Sequence, residues 1–451
     1  MNKLIFSVLA VMAVVCACSV RSDGSSEFVK VVDGQFVRGG DTLSFVGTNF
    51  WYGPLIASEG RGGNRERLHK ELDALKSIGV TNLRILVGSD GPEGVAYKVE
   101  PVLQLEPGVY NDTVLRGLDY LLAQMAERDM HAVLYFNNSW EWSGGYGQYL
   151  EWAGNGKALL PSVDGYENYV DHVSRFVKDE KAKELFYNHV RNIITRVNTV
   201  TGRPYTEDPA IFSWQICNEP RPFARDSVTK AAYAEWLCAS ASLIKSLDPN
   251  HMVSTGSEGI FGSESDMELF EKVHAHKDFD YLNIHIWPLV WRWVTKDTFA
   301  DSVCVATDMT EKYIMLHYPA AERLRKPIVL EEFGYPRDGD TSFEGEAEKF
   351  WDGVCLSKES STAARDAYYG YVFDRLVEAC ENGEPLAGVN FWGWGGYATQ
   401  SEVNEFWRPG DDYCGDPAQE PQGLFSVYIT DESTVALIKQ TNETLKRTKT
   451  K

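Results

Sequence analysis

The chain is short of basic residues, of cysteine and of long apolar runs, and each shortage removes a class of function. Lys and Arg total 44 against 65 Asp and Glu, a formal net charge of -21 at pH 7. Such a field repels phosphate backbones and anionic headgroups, which excludes nucleic acid as a partner. Only eight of 451 residues are Cys. Cys16 and Cys18 lie at the N-terminus. The others, Cys217, Cys238, Cys304, Cys355, Cys380 and Cys414, fit neither a small disulfide scaffold nor a paired-Cys metal motif. Mostly buried free thiols are expected, with room for one bridge. No H-E-x-x-H pair or EF-hand loop occurs, and Gly60 to Gly63 lacks the Lys of a phosphate loop. Gly256-Ser257-Glu258-Gly259 brings its last Gly one residue too early for a nucleophile elbow. Neither a metal nor a cofactor is expected.

Beyond the first residues no apolar run reaches the roughly 18 that a membrane-spanning helix needs. Met1-Asn2-Lys3 followed by the apolar stretch Leu4 to Val15 has the form of a secretory signal. Val15-Cys16-Ala17-Cys18 resembles the bacterial lipobox, which implies cleavage after Ala17 and lipidation of Cys18. Residues 1–17 then form the signal, 18–28 a polar Gly/Ser-rich tether, and 29–451 the catalytic unit. The expectation is an exported bacterial lipoprotein, outer-membrane, touching the membrane only through its anchor.

What the chain does have is 43% hydrophobic residues, enough for a large core, and 12% aromatics, including 13 Trp and 22 Tyr. Flat apolar rings can fill that core or stack on sugars. From Ser44 onward short β-rich runs alternate with amphipathic segments. Candidate strands are Ser44 to Trp51, Asn82 to Val87, His131 to Asn137, Phe212 to Glu219, Met252 to Ser257, Tyr281 to Trp287, Ile328 to Gly334 and Val389 to Trp394. Between them, Asn64 to Ile78 and Thr113 to Arg128 repeat leucines on one helical face. Eight β-α units predict an α/β fold, a (β/α)8 TIM barrel. A bare barrel takes about 250 residues, so the excess belongs in lengthened loops on the C-terminal face. No linker or repeat divides the region.

Two of these strands end in carboxylates. Trp214-Gln215-Ile216-Cys217-Asn218-Glu219-Pro220 stops at a proline, and Ile328-Val329-Leu330-Glu331-Glu332-Phe333-Gly334 has the same form. A lone Glu there is commonly a solvated turn residue. Two at strand ends, three β-α units apart, fit glycosidic cleavage, in which one carboxyl protonates the leaving oxygen while an ionised one stabilises or attacks the anomeric carbon. Side-chain alternation sends Glu331 and Glu332 to opposite sides of the strand, leaving one at the barrel mouth. Spacing alone does not fix their distance from Glu219, which decides between retention and inversion.

With Asn218-Glu219-Pro220 after strand 4 and Glu332-Phe333-Gly334 after strand 7, the chain resembles glycoside hydrolase family 5. That resemblance implies Glu219 as acid/base, Glu332 as nucleophile and a retaining mechanism. It also matches Arg84, Asn218, His285 and Trp392: Arg84 would hold the nucleophile ionised, Asn218 would donate to the sugar 2-hydroxyl, and Trp392 would floor the cleaved-sugar subsite. Where many members carry His-x-Tyr, this chain reads His285-Ile286-Trp287, so an indole N–H replaces the phenol. Phe136-Asn137-Asn138-Ser139-Trp140 lacks the histidines of cellulase-like members. Both departures, with Gly47 to Gly53, Arg221 and the tail Trp407 to Gly423, resemble the β-mannanase branch. By that resemblance Arg221 would bind a sugar on the leaving-group side, and Trp51, Asn138 and Trp152 would contact sugar subsites. The implied partner is a polysaccharide or oligosaccharide: mannan, glucomannan or galactomannan. A β-1,4-glucanase of the same fold and a non-catalytic glycan-binding lipoprotein stay open, as does endo against exo action.

Overall fold

All eight apolar runs enter one parallel sheet. The computed structural model describes residues 27–337, 360–401 and 404–448. Its barrel strands are β1 (Phe45–Asn49), β2 (Asn82–Leu86), β3 (His131–Tyr135), β4 (Ile211–Gln215), β5 (Met252–Ser254), β6 (Leu282–Ile286), β7 (Ile328–Phe333) and β8 (Leu386–Phe391). Their paired order is 5-4-3-2-1-8-7-6, so neighbours in sequence are neighbours in space. Only the seam between β5 and β6 lacks a ladder. It is bridged by Asp280 N–H donating to the Val253 carbonyl at 2.9 Å and His285 N–H donating to the Glu258 carbonyl at 3.3 Å. This is the expected TIM barrel.

The ladders end earlier than the apolar runs. β4 stops at Gln215, so Cys217, Asn218 and Glu219 leave the sheet at its C-terminal rim. Helices form where leucines recur on one face. Asn64 caps Arg65–Ser77 by accepting from Arg67 N–H, and Leu68, Leu72 and Leu75 are fully buried against the barrel. Asp112–Glu127 repeats the arrangement with Leu118, Leu121 and Leu122.

A feature the strand pattern did not predict closes the opposite end. Lys30–Val32, Gln35–Arg38 and Asp41–Leu43 form a three-stranded antiparallel sheet below the barrel. Phe36 projects from it into the barrel floor, 5.2 Å from the Phe212 ring and 5.3 Å from Tyr281. Val133 and Val329 complete this lower core. Strands of three or four residues are too short to show a period of two.

At the other end the loops after β3 and β8 are longest. The tail loop is held from within by the buried Asp416 carboxylate, which accepts from Gly423 N–H and Phe425 N–H, both at 2.8 Å, and from the Ser426 hydroxyl. Of the described cysteines, Cys217, Cys238, Cys304 and Cys414 are free thiols, and Cys217 and Cys414 are buried. Cys355 and Cys18 lie outside the described residues. No helix among the described residues is long and apolar enough to cross a membrane.

Candidate active site

The nucleophile strand departs from simple alternation. Along the β6–β7 pairing Ile284 faces Leu330 but His285 faces Glu332, a register shift that leaves Glu331 unpaired in a bulge. Consecutive carboxyls therefore both turn toward the barrel axis, which corrects the expectation that Glu331 points away. Glu331 sits deeper, accepting from Gln215 Nε2 at 2.5 Å and from the Tyr281 hydroxyl at 3.2 Å. Burial pushes its carboxyl up, against the pull of Arg84. Glu332 lies at the mouth.

Arg84, fully buried at the end of β2, spans both levels. Its guanidinium pairs with Glu332, donates to Gln215 Oε1 and to Asn218 Oδ1 at 2.8 Å each, and reaches Asn49 Oδ1 at 3.1 Å. A fixed positive charge thus stands in direct hydrogen-bond contact with the Glu332 carboxyl. Trp287 Nε1 donates to the other carboxylate oxygen at 3.3 Å. The indole thus supplies the hydrogen bond inferred for it from the sequence.

Glu219 follows β4 with a left-handed backbone, φ 49°, a conformation that costs a non-glycine residue on the order of 1–3 kcal/mol. Its backbone N–H donates to the Gly256 carbonyl at 3.0 Å, and its carbonyl accepts from the Ser139 hydroxyl, so both neighbouring loops hold it there. Its carboxyl accepts from Trp140 Nε1 at 2.5 Å and bonds His285 Nδ1 at 2.9 Å. The same imidazole nitrogen lies 3.3 Å from Glu332 Oε2. One oxygen of each carboxyl and one imidazole nitrogen all fall within 4.8 Å of one another. That separation belongs with the roughly 5–5.5 Å of retaining enzymes rather than the 6.5–9.5 Å that admits a water for inversion. Two carboxylates and an imidazole could also ligate a cation, but here Arg84 and two indole N–H groups occupy the carboxylate lone pairs.

Burial opposes the imidazolium of His285, yet Glu332 and Glu219 outweigh it and hold the ring proton up to about 9. Burial likewise pushes Glu219 up, and its hydrogen bond to His285, with Arg221 nearby, brings it below the ordinary carboxyl range. His285 Nδ1 thus stands one 2.9 Å hydrogen bond from Glu219, placed to exchange a proton with it.

These groups open into a cavity of about 490 Å³. Glu219, Glu332, Asn218, Arg221, Trp287 and Trp392 line it, as expected. Arg221 grips Glu258 through two hydrogen bonds and lies 5.3 Å from the Trp140 ring. Three weaker candidates do not reach the cavity wall. Trp51 is buried against Trp142 and Tyr413, with Nε1 donating to the Gly415 carbonyl at 2.9 Å. Trp152 packs on Tyr149 at the back of Gly145–Ala153. Asn138 spends its carbonyl oxygen on Trp140 N–H at 3.0 Å and Asn218 Nδ2 at 3.2 Å, so it orients wall residues from behind. Trp140, Glu258, Trp291 and Glu420 line the cavity without having been nominated. Glu258 follows β5, and the strand-end rule that found Glu219 applies to it equally.

A closely set carboxylate pair at the C-terminal rim of a (β/α)8 barrel, one member held by arginine, defines a retaining glycoside hydrolase. The sequence profile described as GH family 5 beta-mannosidase-like matches residues 26–450, and the chain belongs to that family. A Rhizomucor miehei structure described as a glycoside hydrolase family 5 mannosidase is 34% identical, with 94% of this chain and 99% of that one covered and a TM-score of 0.83. Mannan endo-1,4-beta-mannosidase 1 of Solanum lycopersicum is 30% identical over 85% of this chain and 86% of its own. An endo-beta-1,4-mannanase from Thermotoga petrophila, 23% identical with a TM-score of 0.61, shares the fold.

Proposed function

We propose that the chain hydrolyses β-1,4-mannosidic linkages of mannan, glucomannan or galactomannan by double displacement. The observation that carries the chemistry is the Glu219–His285–Glu332 cluster, with its reactive atoms within 4.8 Å. The substrate reading is supported by the mannosidase and mannanase relatives and by Trp287 in place of a phenol beside the nucleophile.

Glu332, held in place by Arg84, attacks the anomeric carbon from one face while Glu219 gives its proton to the departing oxygen. Glu219 is then an anion, free to take a proton from water as that water attacks the glycosyl-Glu332 ester. Two inversions leave the β configuration unchanged. Asn218, fixed by Arg84 and Asn138, stands beside the acid with an amide hydrogen left for a sugar hydroxyl. Trp392 offers an apolar face to the ring being cleaved. The experiment is a comparison of initial rates on mannan and on soluble cellulose derivatives, with Glu332→Gln as control. Faster turnover of mannan, abolished in the variant, is expected; faster turnover of cellulose substrates assigns a β-1,4-glucanase, and full activity in the variant removes the role of Glu332.

The same proposal includes export and lipidation at Cys18, supported by the apolar run Leu4 to Val15 and the cysteine-bearing end of that run. Labelling by a palmitate analogue, lost in Cys18→Ser, is the expected result.

A further inference from the structure

The bulge in β7 leaves one buried carboxyl that the double displacement does not use. Glu331 is 1% exposed and lies below Glu332. Its Oε2 accepts from Gln215 Nε2 at 2.5 Å and stands 3.7 Å from Arg84 Nε. Its Oε1 meets the hydroxyl of Tyr281 at 3.2 Å, whose ring belongs to the lower core around Phe36. Keeping a carboxyl this far from water is costly, so what it touches is informative.

Its partners form a chain. Gln215 Nε2 also donates to Ser254 Oγ at 3.0 Å, so both amide hydrogens are spent on acceptors and Oε1 is turned to Arg84 Nε at 2.8 Å. The opposite orientation would set amide N–H groups against the guanidinium, donor against donor. Gly256, at φ 80°, makes room for this amide: a Cβ there would collide with the Cys217 carbonyl and stand 2.9 Å from Gln215 Oε1. Arg84 carries the orientation to the mouth of the site, where Nη1 holds Glu332 and Asn49 and Nη2 holds Asn218. Burial pushes the Glu331 carboxyl up, against the pull of Arg84 and His285 and the hydrogen bonds from Gln215 and Tyr281. A proton on Glu331 leaves Oε2 to accept from Gln215 and lets the acid donate to the Tyr281 oxygen, whose own hydrogen has Ser213 Oγ at 2.8 Å. It also keeps an anion away from the lower side of the guanidinium.

We propose that Glu331 is a positioning residue for the double displacement: it fixes the Gln215 amide, which fixes Arg84, which sets where Glu332 and Asn218 stand. That role rests on the double-displacement reading above and adds a residue that touches no sugar. Glu331 acts in its neutral form, as a hydrogen-bond partner rather than as a charge. An apolar side chain in its place fills the space but leaves Gln215 Nε2 with one acceptor and the amide free to turn. A glutamine keeps a carbonyl for Gln215 and an N–H for Tyr281.

The test compares wild type, Glu331→Leu, Glu331→Gln, Gln215→Met and the double variant Glu331→Leu with Gln215→Met. Each is measured by steady-state kinetics on mannan, by the rate of trapping with 2-deoxy-2-fluoro-β-mannosyl fluoride, and by thermal melting. Glu331→Leu lowers kcat about 10- to 100-fold with KM little changed, the scale of a reacting group displaced by about 1 Å, and trapping slows with it. Gln215→Met does the same, and the double variant is no slower than either single one, because both break one chain. Glu331→Gln recovers most of the lost kcat. Wild-type kcat in Glu331→Leu overturns the proposal, as do losses that multiply in the double variant or a glutamine variant no faster than the leucine one. If Glu331→Leu fails to fold, Glu331→Gln and Gln215→Met decide: a kcat near wild type in the first with a loss in the second supports the chain, and equal kcat in both overturns it. Wild-type turnover of mannan with no sugar trapped on Glu332 removes the double displacement and this role with it. Trapping at the full rate in every variant removes the role and leaves the double displacement standing.

Discussion

The indole N–H of Trp287 donates to Glu332 Oε2 at 3.3 Å, from the strand end where many relatives place a tyrosine hydroxyl. A phenol can donate, accept or lose its proton, whereas an indole only donates. Trp287 therefore serves Glu332 only as a hydrogen-bond donor. Trp287→Phe keeps the apolar ring and removes this donor. Its kcat on mannan should fall about 10- to 150-fold, the value of one hydrogen bond to a charge, and steady-state kinetics with unchanged melting temperature checks it.

Glu219 and Glu332 are separable by leaving group. Glu219→Ala removes the proton donor and should cost about 10²- to 10⁴-fold on mannan. On an activated aryl β-mannoside, whose leaving group needs no proton, the loss in the first step should nearly vanish. Glu332→Gln should be inactive on both. A burst experiment with the activated substrate separates the two outcomes.

His285 makes stability depend on pH. Its folded value, raised to about 9 from an ordinary 6.5, means that the native state binds the proton more tightly than the unfolded chain. Its contribution is fully present below about 6.5 and is lost as pH rises through 9. Melting temperature should therefore fall between pH 6.5 and 9, and that slope should flatten in His285→Gln. Activity should fall over the same alkaline limb, as the proton shared with Glu219 is lost.

Phe36 tests the barrel floor independently of the chemistry. Phe36→Ala leaves a hole among Phe45, Phe212 and Tyr281 and should cost about 3–5 kcal/mol. Denaturant unfolding measures that loss, and KM at low temperature should not change.

Barrel strands and the two carboxyls at the cavity were legible in the sequence because the strands are buried along nearly their whole length and read as largely apolar runs. What alternation could not show is the bulge at Glu331, since a register shift depends on the neighbouring strand. Trp51 and Trp152 against Trp140 and Trp291 make the same point for aromatics: composition is identical whether a ring lines a cavity or fills the core behind it. Glu420 lies in a loop without periodicity, and its place in the cavity wall comes from Asp416 and Gln422 folding the tail back on itself. Only the assembled structure carries that information.

The claim on which the others depend is that Glu332 becomes covalently bonded to the sugar. Incubation with 2-deoxy-2-fluoro-β-mannosyl fluoride, then peptide mass spectrometry, measures this directly. The predicted result is one added fluoromannosyl mass on the peptide carrying Glu332, absent in Glu332→Gln. A label confined to Glu219 or Glu331, or rapid turnover with no adduct at any time, would contradict the account.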